Sequence, residues 1–401
     1  QVKGLERLLS VIEGLPAPVY LVGGAVRDLL RGASSVDLDL AVEGDAAAIA
    51  VELAGLLGGA AMTHDRFGTA TVRAGELTAD LASTRREVYA RPGDLPAVEP
   101  APLAEDLGRR DFTINAMAIG LCGDALGTLH DPHGGQEDLD AGLIRVLHER
   151  SFVEDPTRLL RALRYEARLG FALSAETERL AREAAAAAAP RTVSGSRIRD
   201  ELMDLLAEPE APVAVARLGE LGLDSALHPA LVADADLTAS AQLAALDTGA
   251  DPALAGLAAL CARGLDSPED GLESWLESLS LLGPERDAVL RAARRAPALA
   301  EELRSPLRPS ELHERLGREP AEALALALAL GAPPDPVLRY VGGRQAARLE
   351  ITGEDLLAHG VPESPSIGRA LRETLRRKLD GELSGRDEEL RTALALARED
   401  R

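Results

Sequence analysis

Residues 19–42 read VYLVGGAVRDLLRGASSVDLDLAV, and the order of apolar and polar positions in them decides the fold. An apolar run, Val19–Val22, meets Gly23-Gly24 and a short helical segment carrying Arg27 and Asp28. After a polar turn, a second apolar run alternates with Asp37 and Asp39. Alternation has a period of two, so both carboxylates leave one face of a strand. The glycines allow a bulky ligand to approach the backbone, and a helix start offers unpaired N–H groups to an anion. Paired carboxylates beside such a turn suit a Mg²⁺–nucleotide site. Taken singly, Gly-Gly reads as a turn and Asp-x-Asp as an exposed strand face; their order and spacing argue for the site.

Downstream, Ala46–Leu57 reads as a helix ended by Gly58-Gly59, and Thr69–Arg73 and Leu77–Ala82 as strands joined through Gly75. Asp80, in the second of these, is a candidate third metal-binding acid, or else an edge-strand surface acid. Upstream, residues 1–14 form an amphipathic helix pattern through Leu5, Leu8, Leu9 and Ile12. Residues 83–108 hold four prolines and two glycines with little periodicity and read as a long functional loop. It leads into RRDFTINAMA, residues 109–118, where Arg110, Asp111 and Asn115 stand near a helix start and suit phosphate and ribose contacts. Residues 131–135, DPHGG, form a turn.

From Ser151 the pattern SFVEDPTRLLRALRYEARLGF predicts one long helix with Pro156 in its first turn. Glu154, Asp155 and Arg158 then share a face. They form either a surface ion-pair set or a hydrogen-bonding template. In the template, a carboxylate accepts from a base amino group and a guanidinium donates to ring acceptors.

The 401 residues carry 44 basic and 66 acidic side chains, a net charge of −22, which argues against binding a polyanion over the whole surface. Local basic tracks remain: Arg109-Arg110, Arg158 to Arg168, Arg191 to Arg199, and Arg369 to Lys378. Between Phe171 and Tyr340 the only aromatic residue is Trp275, in a stretch rich in helix formers, so a mixed α/β front is expected before an all-helical back. No apolar run approaches the roughly 20 residues that span a bilayer. The first residues lack a cleavable-signal pattern. Cys122 and Cys261 lie far apart, and His130, His133 and His148 lack a zinc spacing. The expectation is a reduced, cytoplasmic protein with no membrane and no disulfide partner.

In this order the segments resemble the class II tRNA nucleotidyltransferases, the group of bacterial CCA-adding enzymes and poly(A) polymerases. LVGGAVRD with DLDLAV is similar to the first motif, RRDFTINAMA to the second, DPHGGQEDL to the third, FVEDPTRLLRALRYEARLGF to the fourth and VSGSRIRDELMDLL to the fifth. The resemblance is dense over 18–206, and ITGEDLL near 351 extends it toward the end. It implies an α+β chain: a polymerase-beta-like nucleotidyltransferase head with a mixed sheet (1–142), then a helical neck that reads the base (143–206), a helical body (207–332) and a helical tail that binds tRNA (333–401).

The resemblance also implies roles. Asp37 and Asp39 would be catalytic and, with Asp80, would hold Mg²⁺. Gly23, Gly24 and Arg27 would hold the triphosphate, with Asp28 positioning Arg27. Arg110, Asp111 and Asn115 would bind the nucleotide and select its ribose. Asp155 and Arg158 would pair with the base, with Glu154 fixing Arg158, and Arg161 and Arg164 complete the nucleotide-binding set. The substrates implied are CTP, ATP and tRNA, and the activity implied is template-independent CMP and AMP transfer. The loop before the second motif is complete, which disfavours a CC-only enzyme. The alternatives are an A-adding enzyme and a poly(A) polymerase.

Overall fold

The structure, a computed structural model, describes residues 4–33, 38–64, 68–263, 271–343 and 348–399. The chain divides into two compact units, Gln1–Leu227 and His228–Arg401.

In the first unit a seven-stranded sheet is built from β1 (Val19–Val22), β2 (Leu38–Val42), β3 (Ala60–His64), β4 (Thr69–Ala74) and β5 (Leu77–Ser83). The hairpin strands β6 (Arg85–Val88) and β7 (Ala97–Pro100) form a separate pair, and β8 (Ala118–Gly120) and β9 (Leu129–His130) return to the large sheet. Its order is β3-β4-β5-β2-β1-β8-β9. Neighbours are antiparallel except β2 and β5, which run parallel with Asp39 opposite Asp80.

Burial along β5 alternates. Leu77, Ala79 and Leu81 are buried while Thr78 and Asp80 are exposed, and Asp39 is likewise exposed between buried Leu38 and Leu40. Helix α1 (Leu5–Ile12) and α3 (Ala46–Leu57) belong to this unit, with α2 (Gly24–Leu30) between them in sequence. Helix α3 packs on the sheet through Ile49, Ala50, Leu53 and Leu57, a helical stripe. Its first turn is capped by the Asp45 carboxylate, and Gly58 ends it in the left-handed conformation. On the acid-bearing side, Leu103 and Leu107 of α4 (Leu103–Gly108) pack with Tyr20, Val22, Ala41 and Ala118.

Residues 83–108 are thus largely ordered as β6, β7 and α4, where the sequence reading gave a loop. The strands are short, and their pairing includes the exposed cross-strand ion pair Arg86–Glu99 rather than an apolar alternation. Strand β3, too, carries no sequence-level signal beyond its length.

The DPHGG turn is a helix cap. Asp131 accepts from the backbone N–H of Gly135 and Gln136 at 2.7 and 2.9 Å, opening α5 (Gly135–Ala141). Asp138 of α5 accepts from the Thr113 hydroxyl at 2.7 Å and so braces the 3₁₀ turn Thr113–Asn115. Helices α6 (Ser151–Glu154), α7 (Thr157–Leu169), α8 (Ala175–Ala186), α9 (Gly195–Ala207), α10 (Ala211–Glu220) and α11 (Leu223–Leu227) complete the unit.

The second unit is helical. Its central helix, Pro252–Ala262, is buried from Ala253 to Cys261 on every side, as an apolar helix without a polar face must be. Trp275 is half-buried and packs against His228 with ring centroids 5.6 Å apart. A smaller core near the end gathers Ile351, Leu356, Val361, Ala370, Ala393 and Ala397.

Gly135 marks a close approach, since a Cβ there would lie 2.2 Å from the Thr113 carbonyl oxygen. Gly135→Ala is expected to destabilise the protein by about 1–3 kcal/mol, the usual cost of overpacking. Denaturant unfolding measures this, and an unchanged midpoint would show that α5 and the turn separate freely.

Candidate active site

The acids come first, because the sheet fixes them. Parallel pairing sets Asp39 and Asp80 side by side on the exposed face, and the Thr71 hydroxyl donates to Asp80 at 2.6 Å. Asp37 lies outside the described residues. Among the described residues no three His, Cys, Asp or Glu side chains converge on one point. The pair that is described offers oxygen donors only, which fits a hard divalent cation rather than zinc or copper.

Beside them, Gly23 turns the chain at φ 69°, ψ −136°, a region open to glycine. A Cβ there would meet the Arg110 guanidinium at 3.1 Å. Arg27 is buried and fully engaged. It donates to both oxygens of Asp28, at 2.9 and 3.1 Å, and to the Asn115 side-chain oxygen at 2.8 Å. The Tyr165 ring lies 5.3 Å from its guanidinium carbon.

Asn115 donates onward to Asp111 at 3.0 Å, and Arg161 donates twice to the other Asp111 oxygen, at 2.6 and 3.0 Å. Arg161 also reaches Glu201 of α9 at 3.1 Å. One chain of hydrogen bonds thus runs from Asp28 through Arg27, Asn115, Asp111 and Arg161 to Glu201. Burial pushes the Asp111 carboxyl upward, but Arg161, its hydrogen bonds and the charge of Arg158 outweigh that and hold it below the usual carboxylate range. In Glu201 burial prevails over Arg161 and Arg164, and its carboxyl is raised. Arg164 is committed to Asp204 and Glu201.

A second buried carboxylate, Asp106, organises the neighbouring arginines. It accepts from Arg109 at 2.8 Å, from Arg110 at 3.1 Å and from the Arg85 backbone at 3.2 Å. Arg109 also pairs with Glu87 at 2.8 Å. Burial opposes ionisation of Asp106, yet the two arginines and their hydrogen bonds lower its pKa.

The base-reading segment differs from the single helix expected. Asp155 is extended (φ −133°, ψ 90°) and separates α6 from α7. Residues 154 and 158 therefore do not stand four apart on one helix, and Glu154 does not hold Arg158. Glu154 instead pairs with Arg150 at 2.9 Å and His148 at 3.7 Å. Arg158 is buried and donates to the Ser151 hydroxyl and the Arg109 carbonyl, both at 2.7 Å. Asp155 accepts from the Thr157 hydroxyl at 2.6 Å and pairs with Arg197 at 2.8 Å.

Gly23, Gly24, Asp39, Arg110, Asp155 and Arg158 meet in one cavity of about 500 Å³, whose lining includes neither Arg27 nor Asp80. A family profile described as the poly A polymerase head domain matches residues 19–145. The chain is 36% identical to the A-adding tRNA nucleotidyltransferase of Halalkalibacterium halodurans, over 98% of this chain and 91% of that protein. The chain belongs to the tRNA nucleotidyltransferase and poly(A) polymerase family. A second relative, the A-adding tRNA nucleotidyltransferase of Geobacter sulfurreducens, is 37% identical over 98% of this chain, which spans about half (47%) of that protein's length. The fold matches the apo form II of a CCA-adding enzyme with a TM-score of 0.85 and 32% identity, covering 98% of this chain and 94% of that one.

The cavity also brings in Asp111, Asn115 and Arg161, whereas Glu154 and Arg164 are turned to the partners named above. Sequence reasoning passed over Glu87, Tyr89, Thr157, Tyr165 and Asp200, which line the same cavity. Glu87 and Tyr89 sat inside the supposed loop, and Tyr165 sat unmarked in the helix predicted from Ser151. Its ring in fact lies within 6 Å of the guanidinium carbons of Arg27, Arg161, Arg164 and Arg168.

Asp106 and Asp111 both have depressed pKa values. Their stabilisation is complete above the unfolded-state value of about 3.9 and is lost as pH falls through their lower folded-state values. Asp106→Asn is expected to cost about 2–4 kcal/mol at neutral pH, because it leaves two arginines with a neutral partner. Its stability should also fall less steeply than the wild type's as the pH drops below about 4. Urea titrations across that range test both; parallel pH curves for the two proteins would refute the assignment.

Proposed function

We propose that this protein adds nucleotides, without a nucleic-acid template, to the 3′ end of tRNA, and that AMP transfer completing the CCA end is among its reactions. The observation that carries the reading is the cavity itself. A Gly-Gly turn with Arg110, an aspartate of the sheet face, and the Asp155–Arg158 edge open into one space, so side chains are available to select the base. The AMP step is supported by both kinds of relative, those named A-adding and the CCA-adding structural neighbour. Full CCA addition with CTP and ATP is the second reading, favoured by the TM-score of 0.85 to that CCA-adding enzyme.

The 3′ oxygen of the acceptor attacks the α-phosphorus of the nucleotide. A new P–O bond forms, the bond to the bridging oxygen breaks, pyrophosphate departs, and the hydroxyl proton passes to solvent or a carboxylate. Asp39 and Asp80, with Asp37 from the sequence, are the residues that would hold Mg²⁺. The ion would lower the pKa of the attacking hydroxyl and neutralise charge on the leaving oxygens. Gly23, Gly24 and Arg110 hold the triphosphate, and Arg27, buried behind the turn, holds Asn115. Asp111 and Asn115 face the ribose, and Asp155 and Arg158 read the base, with Arg161 bracing Asp111 from α7. The four-part division into head, neck, body and tail is part of the same proposal.

Purified protein with Mg²⁺, labelled ATP or CTP, and tRNAs lacking CCA, CA or A is expected to extend at least the tRNA lacking only A. Extension of all three establishes full CCA addition. Long A tracts on unrelated RNA would mark a poly(A) polymerase, and no extension at all would sink the proposal. Asp39→Ala is expected to lower the rate by at least about 1,000-fold, a few kcal/mol of transition-state stabilisation. Arg158→Ala should reduce the preference for ATP over GTP by about 10- to 100-fold, the worth of one bidentate base contact.

A further inference from the structure

Two aromatic rings line the cavity, Tyr89 and Tyr165. The surroundings of Tyr165 are full: four guanidinium carbons lie within 6 Å of its ring, and Phe112 meets it edge-on at 5.8 Å between centroids. Among the described residues no second ring and no guanidinium is paired with the ring of Tyr89. Tyr89 follows β6, where Arg85 and Glu87 are half-buried while Arg86 and Val88 are exposed. Continuing that period of two brings Tyr89 to the side of Glu87, and both line the cavity. The Tyr89 hydroxyl donates to Glu87 at 2.8 Å, Glu87 accepts from Arg109 at 2.8 Å, and the Arg109 carbonyl accepts from Arg158 at 2.7 Å. Arg109 therefore anchors both the ring and the guanidinium assigned to the base. Both base-reading groups act on the hydroxyl as well: burial and Glu87 raise its pKa, Arg158 opposes the rise, and Asp155 adds to it.

We propose that Tyr89 is the stacking platform for the base of the incoming nucleotide. The inference rests on the nucleotidyl-transfer function proposed above and adds the residue that holds the face of the base. Hydrogen bonds from Asp155 and Arg158 reach only the edge of a base and leave it free to hinge about that edge. A flat group against one face removes that freedom. An aromatic ring supplies the contact for any base, since every base has a π-face. With its hydroxyl tied to Glu87, the ring is set before the base arrives, so little further ordering is lost on binding. A strut for Glu87 would need only the hydroxyl, and the half-buried ring in the cavity wall is what that role leaves over.

Equilibrium binding with Mg²⁺ present tests this with two probes, ATP and inorganic triphosphate, of which the second has no base. Tyr89→Ala is expected to weaken ATP binding about 5- to 150-fold, the worth of one stacked base, and to leave triphosphate within about twofold of wild type. Tyr89→Phe keeps the ring and should recover most of the ATP affinity. Unchanged ATP binding by Tyr89→Ala overturns the assignment. So does an equal loss for both probes, which would make the side chain a strut acting through Glu87 and Arg109. A Tyr89→Phe variant as weak as Tyr89→Ala overturns it too, because the effect would then lie in the hydroxyl. If thermal unfolding shows Tyr89→Ala to be misfolded, Tyr89→Leu, which keeps apolar bulk without a ring, decides by the same measurements. Wild-type protein run in parallel separates the two levels. If it extends tRNA while Tyr89→Ala binds ATP equally well, only the stacking assignment falls; if it extends no RNA, the proposed function falls, and the two-probe comparison still decides Tyr89.

Discussion

The buried carboxylate of Asp111 is the joint on which the first unit depends. One of its oxygens accepts from Asn115, which holds Arg27 and the Gly-Gly turn; the other takes two bonds from Arg161 of α7. A single negative charge therefore fixes the sheet-borne turn against the helix that follows Asp155. Burying such a group is costly unless its partners are complete, and here they are: Phe112 donates its backbone N–H as well, at 2.8 Å. Asp106 repeats the device a few residues earlier for Arg109 and Arg110. Two acids thus set the directions of three arginines that line the cavity.

Much of this architecture was legible in the sequence, because it rests on local patterns. The alternation around Asp39, the paired glycines and the apolar stripe of Ala46–Leu57 each encode their own geometry, and β1, β2 and α3 formed as read. Asp80 was readable as a strand acid, but its position opposite Asp39 comes from a pairing 41 residues away, counted along the chain, which periodicity cannot announce. The DPHGG segment was read as a turn, and its role as a cap for α5 and a brace for the 113–115 turn needs tertiary contacts to appear.

The two misreadings have a common cause. Residues 83–108 and 151–169 are polar or charged where their structure is decided by partners elsewhere in the chain. The β6–β7 hairpin is held by charged pairs, such as Arg86 with Glu99 and Glu87 with Arg109, rather than by an apolar face. At Asp155, helical spacing suggested continuity, yet the extended backbone lets the side chain accept from Thr157 and meet Arg197. The Glu154–Arg158 pairing inferred from spacing was lost with that continuity.

The same break bears on how the protein could choose a nucleotide. Asp155 and Arg158 are already hydrogen-bonded to Thr157, Arg197, Ser151 and the Arg109 carbonyl. Under the proposed function, an incoming base meets groups whose directions are already set: the bonds to Asp155 fall on its Oδ1, and Arg158 is held through one bond from each terminal nitrogen. The base is then left with Oδ2 and the other N–H groups of the guanidinium, aimed before it arrives. A base that fails to match them leaves charged groups unmatched and bears their desolvation penalty.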